Sequence, residues 1–552
     1  MTPPASTIPE LFAAAVAARG SRPALGAVRQ GTLAWHSWDE LAQWVAAWQA
    51  TLAALGVVPG DRVAQVGANC LEWVAADLAI QGVGAVHVPL HASLAPAQVA
   101  GFLAHAGARL ALVHDEAMAQ DLRLRSPGVR VVLPEQLCAE PSASPPLRGE
   151  TDAAAAVRRA TVPRQADDLA TILYTSGTTG SPLGVMLTHR NLIANAAAIT
   201  RAAGTTGDET RLGILPLSHI YARTCDLYSW MIHGARLALA ESRETIFRDL
   251  ALVARTAINA VPYFYQKVVD RLRQAGGPQD EGALRTALGG SVRRCYCGGA
   301  ALPAEVDRYF AERGLPILCG YGLTEASPVI SATKPGDYRS GTVGPPLDEV
   351  EVRLSDEGEI AVRGPNVMAG YWQDQAATDR VLRDGWLSTG DLGAWDDAGH
   401  LRIVGRIKEM IVLATGKKVF PTQVEQLLLG SPWIEQACVV GDGRKCLAAL
   451  IVPNRDMLRA EIRRRRLWVW SRRRATTHPQ VVAIYRAEID RCLASLGQHE
   501  QIAGFNLLTR QFSAELGEVT PKLSLCRGVI AGTLSRQIER AYRGIGSRPL
   551  RG

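Results

Sequence analysis

Residues 174–184 read YTSGTTGSPLG, and the reading of this stretch decides how the rest of the chain is understood. Three glycines, Gly177, Gly180 and Gly184, are interleaved with Thr175, Ser176, Thr178 and Thr179, directly after the apolar run Leu169, Ala170, Thr171, Ile172, Leu173. Glycine lets the backbone turn through positive φ and bring its amides close to an anion, while hydroxyls add donors that rotate toward polyphosphate oxygens. Composition alone would also fit a flexible linker. A strand-like run on one side and the helix-like HRNLIANA at 189–196 on the other argue for a phosphate cradle. No Gly-Lys-Ser/Thr closes the loop, so it is not a Walker A sequence, and another class of nucleotide site is expected.

Working outward, 552 residues with 47% hydrophobic and 20% charged content predict two or more domains with sizeable cores and exclude a disordered chain. The net charge of +7 is spread over 60 basic and 53 acidic residues, which does not call for a nucleic acid partner. Ten cysteines lack paired zinc spacing, so reduced core thiols are expected, with Cys295 and Cys297 in a buried strand. The N-terminal stretch has no basic segment before its short apolar run, and no later run reaches transmembrane length; the expectation is a cytoplasmic protein. From residue 8 to 138 helix and strand alternate. Ser37 is a plausible N-cap for a helix carrying Leu41, Trp44, Val45, Trp48, Leu52 and Leu55, residues 62–66 read as a strand, 72–80 as a helix and 84–90 as a strand. That alternation predicts a layered α/β architecture with mostly parallel sheets. Residues 140–165, rich in Pro, Ala, Ser and Arg, are predicted to be a surface connection.

Further along stand LPLSHIY (215–221), VPYFYQKV (261–268), RRCYCGGAALP (293–303), GYGLTEAS (320–327), WLSTGDLG (386–393), GRIKEMIV (405–412), GKKVFP (416–421) and EVTPKLSLCR (518–527). Individually these segments admit ordinary readings. His219 is a lone histidine near apolar residues, Thr324 and Glu325 suit a helix N-terminus, and Asp391 after a glycine suits a turn. Residues 463–474, RRRRLWVWSRRR, place seven arginines around two tryptophans; this fits an anionic membrane surface or a solvated basic helix equally.

Taken together and in this order, the motifs resemble those of the adenylate-forming (AMP-binding) superfamily, fatty acyl-CoA synthetase branch, whose phosphate loop reads YTSGTTGxPKGV. The resemblance implies a large N-terminal domain of layered α/β sheets, residues 1–405, and a smaller mobile α+β C-terminal domain, residues 406–552, hinged near Lys408. It implies ATP, Mg²⁺ and CoA as cofactors and substrates and a medium- to long-chain fatty acid as the group activated, through an acyl-adenylate. Thr175, Ser176, Gly177, Thr178, Thr179 and Gly180 would cradle the phosphates. Gly298, Gly299 and Ala300 would let a flat base approach the backbone, Tyr321 with Gly322 would stack on adenine, Asp391 would accept from the ribose hydroxyls, and Arg406 would pair with ribose or phosphate. Thr324 would bond a phosphate, Glu325 would hold Mg²⁺, His219 would lie near the acyl carbonyl, and the backbone around Tyr263 to Tyr265 would border the acyl pocket.

Two departures from the family pattern stand out. Leu183 and Ser524 occupy positions where lysines are usual, and Lys522, two residues before Ser524, is the candidate replacement. In an extended segment it shares a face with position 524, displaced by roughly 7 Å. The alternatives to a CoA ligase are therefore an enzyme that loads a carrier protein and a nucleotide- or acyl-binding homologue impaired in adenylation. Contact of residues 463–474 with a membrane surface is a further expectation.

Overall fold

The computed structural model describes residues 5–136, 153–175, 183–276, 280–513, 516–519 and 525–543. Among these, two large sheets form the body of the N-terminal part. One has eight strands, with Pro23–Arg29, Arg236–Leu239, Thr210–Gly213, Ala257–Ala260, Arg294–Cys297 and Ile317–Gly322 running parallel and an antiparallel strand at each edge. The other has seven and is parallel from Leu169–Thr175 through Val86–His91, Arg62–Gly67 and Leu110–Val113 to Arg130–Val132. The parallel strands read as continuous apolar runs because both faces are covered.

The covering follows from the helix patterns. Between the sheets lie helices Ile8–Arg19, Trp38–Ala54, Leu71–Gly82 and His189–Ala203, and one core cluster takes residues from both sheets and all four helices, including Phe12, Trp38, Trp73, Ile193 and Trp230. Trp38 and Trp230 stack at 4.2 Å within it. Outside the eight-stranded sheet pack Pro262–Ala275 and Ala304–Ala311; outside the seven-stranded sheet pack Pro96–Ala106 and Glu116–Arg125. The α/β layering predicted from the first 138 residues thus extends through the whole N-terminal part. Ser37 caps its helix as expected, in a reciprocal capping box with Glu40.

The helix read at 189–196 is present as His189–Ala203; between it and the loop lies a strand the sequence reading missed, Leu183–Thr188, paired antiparallel with Leu169–Thr175, Thr175 opposite Leu183. The six-residue run LGVMLT alternates its buried positions irregularly, and a glycine at its start hid it. Within the expected connection 140–165, residues Ala153–Ala160 form a helix with Ala154 and Val157 buried against the inter-sheet core, because its small side chains let it pack closely. Tyr263 to Tyr265 lie on a helix outside the eight-stranded sheet, with Tyr263 exposed and Phe264 and Tyr265 in the outer core, the ordinary reading of aromatic residues in that stretch.

A five-stranded sheet holds Trp386–Trp395 beside Leu401–Arg406. Beyond it, Ile434–Val440, Leu447–Pro453 and Ile502–Leu507 make a three-stranded sheet with its own cores, one face covered by Pro421–Leu429 and Pro479–Cys492, the other by Arg527–Thr533 and Ser535–Arg543. Nine cysteines are described and none is in a disulfide; burial pushes the Cys295 thiol up to about 12, so it stays protonated. No helix among the described residues is long and apolar enough to cross a membrane.

Candidate active site

The C-terminal ends of the parallel strands Arg294–Cys297 and Ile317–Gly322 open onto a cleft whose wall includes His219, Tyr221, Gly298, Gly299, Tyr321 and Thr324. Ligands of open α/β sheets bind outside the carboxyl ends of the strands, so the position suits a substrate site. Gly298 is needed here for a reason the sequence did not reveal. A Cβ on it would lie 3.2 Å from the Tyr221 ring, so any side chain here would press on that phenol. Gly299, at φ +82, leaves open space, with Val261 the nearest neighbour at 3.8 Å. Gly322 is hemmed in by backbone: a Cβ would meet the Pro328 carbonyl oxygen at 1.8 Å.

At the mouth of the cleft, three segments far apart in sequence form one chain of contacts. Tyr321 donates its hydroxyl proton to Asp391 Oδ2 at 2.7 Å, and Arg406 Nε lies 2.8 Å from Asp391 Oδ1. Asp391 and Arg406 are direct cross-strand partners in the five-stranded sheet, which fixes the pair. Burial raises the Asp391 pKa, while Arg406 and the Tyr321 hydroxyl oppose that rise. The carboxylate is thus held beside the YG and GR motifs, with lone pairs left for further donors.

Thr324 and Glu325 occupy a three-residue 3₁₀ turn, Thr324–Ala326, whose N-cap is Leu323 without a side-chain bond. The helix-cap reading of Thr324 therefore falls. Glu325 Oε1 accepts from the Tyr371 hydroxyl at 2.9 Å, and Tyr371 pairs with Val185 on the strand that leaves the phosphate loop. Through Tyr371, a residue the sequence reading missed, the carboxylate is tied to the strand Leu183–Thr188. Three buried asparagines, also missed, fasten the turn. Asn195 bonds both the N–H (3.0 Å) and the carbonyl (2.7 Å) of Val329, Asn366 donates to the Ala326 carbonyl (3.0 Å), and Asn191 donates to the carbonyls of Pro365 and Val367. Nothing at these positions signals the role, since Asn191 and Asn195 in the helix His189–Ala203 and Asn366 in a loop meet partners that only the fold supplies.

Residues 176–182 and 520–524 lie outside the described residues, so Ser176, Gly177, Thr178, Thr179, Gly180 and Lys522 are not placed. Their flanks are. Thr175 and Leu183 face each other across the hairpin, and Leu183 is half-buried against the inter-sheet core, a packing role that a lysine would fill less well. Val519 and Leu525 form a β-bridge, and Arg527 beyond it binds Glu425 through two bonds of 2.6 Å and approaches Glu409 at 3.6 Å. Glu409 shares the 3₁₀ turn Ile407–Glu409 with Lys408. The last motif is therefore anchored beside the segment expected to be the hinge.

Behind the cleft lies a buried polar cluster. Arg223, in a π-helical segment Arg223–Tyr228, bonds Asp77 and Thr171, and Asp77 also meets His87 (2.6 Å) and the Tyr228 hydroxyl (3.1 Å). Burial and the Arg223 charge lower the His87 pKa to about 4, so the imidazole is neutral. Despite burial, Arg223 and His87 hold the Asp77 carboxyl well below its usual range.

A divalent cation fits the donors present. No cluster of three or more metal-ligating side chains occurs among the described residues, and Glu325 offers one carboxylate, tied through Tyr371 to the strand Leu183–Thr188, which suits Mg²⁺, a hard ion commonly bound by one or two carboxylates plus phosphates.

Comparison with known proteins agrees with this geometry. Residues 12–372 match the AMP-binding enzyme family and residues 408–545 the AMP-binding enzyme C-terminal domain. The chain belongs to the AMP-binding enzyme family. It is 32% identical over 553 residues to a long-chain-fatty-acid–CoA ligase of Mycobacterium bovis, covering 89% of each chain, and 33% identical over 429 residues to a feruloyl-CoA synthase of Amycolatopsis, covering 75% of this chain and 82% of that one. Among solved structures, o-succinylbenzoate CoA synthetase of Bacillus subtilis in complex with ATP and magnesium has the same fold, with a TM-score of 0.74, 24% identity and coverage of 94% and 98%. ATP-bound MatB of Rhodopseudomonas palustris gives 0.75 at 23% identity, covering 95% and 99%.

Proposed function

We propose that the chain is an ATP-dependent acyl-CoA synthetase that activates a medium- to long-chain carboxylic acid. The observation that carries this reading is the Tyr321–Asp391–Arg406 chain at the mouth of the cleft, with Glu325 tied through Tyr371 to the strand Leu183–Thr188. Names of the relatives, long-chain-fatty-acid–CoA ligase among them, support the same chemistry. Asp391 orients the ribose and Tyr321 the adenine. The acid lies in the cleft with its carboxylate near His219 and Thr324. One carboxylate oxygen attacks the α-phosphorus as the bond to pyrophosphate breaks, and the CoA thiolate then attacks the acyl carbonyl with AMP leaving. Mg²⁺ held through Glu325 supplies charge neutralisation on the phosphates. Residues of this chain contribute positioning and preset donors, the larger part of such catalysis.

In this reading residues 1–405 bind the nucleotide and acid, and the part from 406 onward moves about Lys408 between the two half-reactions. A carrier-protein thiol in place of CoA is the second acceptor to test. Trp468 (82% exposed) and Trp470 (74% exposed), among the arginines of residues 463–474, support attachment to an anionic membrane surface where fatty acids partition. Sedimentation with anionic vesicles that Trp468→Ala/Trp470→Ala leaves unchanged would remove that part.

Acid-dependent ATP–pyrophosphate exchange with Mg²⁺ tests the core of the proposal. Exchange is expected with the native chain and is expected to fall sharply in Lys522→Ala, because Leu183 and Ser524 leave Lys522 as the candidate cation of that segment. Absence of exchange with every acid, while ATP still binds, would leave the adenylation-impaired homologue as the correct reading.

A further inference from the structure

The cleft does not end in hydrocarbon. Its wall continues inward to Thr200, Thr205, Arg211, Ser229, Asn259 and Tyr296. Arg211, Ala257 and Arg294 are register neighbours across three parallel strands, and Gly298 lies four residues beyond Arg294 on its strand. At the strand rise Tyr296, two residues before Gly298, is roughly 7 Å below it and Arg211, level with Arg294, roughly 13 Å. That is the reach of a medium-length acyl chain or a ring with a short tail.

Most floor groups are already committed. Thr200 and Ser229 donate to the carbonyls of Ala196 and Cys225, Thr205 accepts from Arg211 Nη2, Arg211 Nη1 donates to Cys225, and Asn259 donates to Asp226. Two donors remain: Arg211 Nε and the Tyr296 hydroxyl are buried and have no hydrogen-bond acceptor. Arg294 stands beside the Tyr296 phenol, but a guanidinium has no lone pair and cannot take its proton. Arg294 is itself committed to the Ala203 carbonyl (2.7 Å) and Glu209 (3.1 Å). The Arg211 charge is also faced, by Glu209 at 3.6 Å. A buried donor without an acceptor costs about 1–3 kcal/mol, so the floor favours a ligand that supplies an acceptor.

We propose that the far end of the acyl cleft recognises an uncharged oxygen, a hydroxyl or carbonyl, at the distal end of the acyl group, with Tyr296 and Arg211 as its donors. The preferred substrates are then oxygenated acids, not simple alkanoates. The inference rests on the synthetase reading above, since it takes this cleft as the acyl site. A neutral oxygen is specified because the two guanidiniums, Arg211 and Arg294, are already faced by the carboxyl groups of Glu209 and Asp226.

The test uses linear acids from hexanoate to dodecanoate, each with and without a terminal hydroxyl, in the pyrophosphate-exchange assay. At one chain length the ω-hydroxy acid is expected to exceed its parent in kcat/KM by about tenfold or more, and Tyr296→Phe, which keeps the ring, is expected to lower that ratio about tenfold. Preference for the plain acid at every length, or a ratio unmoved by Tyr296→Phe, would overturn the proposal. Should no acid support exchange, the synthetase reading falls, and the same ratio measured by equilibrium binding of the acids decides the recognition.

Discussion

Replacing Asp391 with asparagine keeps the side-chain volume, removes the charge and turns one acceptor oxygen into an N–H donor. In the native protein this carboxylate, 3% exposed, accepts from Tyr321 at 2.7 Å and from Arg406 at 2.8 Å. Asparagine has one acceptor oxygen, so one of the two donors must face an N–H group. A hydrogen bond to a charged group contributes about 1.5–3 kcal/mol, and the ribose contacts are lost along with the preset geometry. We expect Asp391→Asn to weaken Mg²⁺-ATP binding by about 2–3 kcal/mol, roughly 30- to 150-fold in Kd. Calorimetric titration reads this, with thermal melting to confirm that the variant is folded. Tyr321→Phe is expected to cost roughly tenfold, and the double variant no more than Asp391→Asn alone, because both act through the same carboxylate. Native affinity in Asp391→Asn, or costs that simply add in the double variant, would refute the argument.

Gly322→Ala is expected to reduce exchange activity severely and to destabilise the protein by about 1–3 kcal/mol or more, since the new methyl meets a backbone oxygen that no rotamer change can clear; melting and kinetics together check this. Stability should fall as pH drops from 6.5 toward 4. His87 and His189 have pKa values lowered to about 4, chiefly by burial, so below 6.5 the unfolded chain takes up protons that the folded chain refuses. For His189 the protonated ring would also lose the bond it accepts from the Ile8 N–H, and denaturant melts across pH should lose part of this slope in His189→Gln. Arg510→Ala should destabilise the C-terminal part by about 2–3 kcal/mol, because buried Glu518 takes two bonds of 2.6 Å from that guanidinium. Those bonds lower the Glu518 pKa to about 2. Its contribution is therefore present above the ordinary carboxyl range near 4.5 and lost as pH falls toward 2, and the native chain should lose more stability than Arg510→Ala across that window.

Legibility in the sequence followed the range of the interactions. Ser37 with Glu40, the strand 62–67 and the glycine-rich loop could be read because their determinants lie within a few residues of one another. Short motifs such as GYGLTE and STGD also announced themselves, since glycine spacing beside polar groups is a local signature. What escaped was set by distance. Asn195 meets Val329 across 134 positions, and Tyr371 meets Glu325 only because an edge strand returns to the phosphate hairpin. The donors at the cleft floor were invisible for the same reason, as Arg211 looks in sequence like an ordinary strand-end arginine. At Tyr263 to Tyr265 helical spacing places two of the three rings in the outer core, as an ordinary reading of aromatic residues allows.

Arg406 is held to Asp391 as its cross-strand partner, and the very next residue opens the turn that carries Lys408. A reorientation of the C-terminal part cannot then be spread along the preceding strand without breaking that pair. If the part beyond residue 406 turns as the proposed mechanism requires, its backbone rotation would be confined to the few dihedrals from residue 407 onward, a point pivot and not a bending rod. Because the anchored carboxylate is also the candidate ribose acceptor, an occupied nucleotide site would stiffen the bearing on which the second half of the molecule turns.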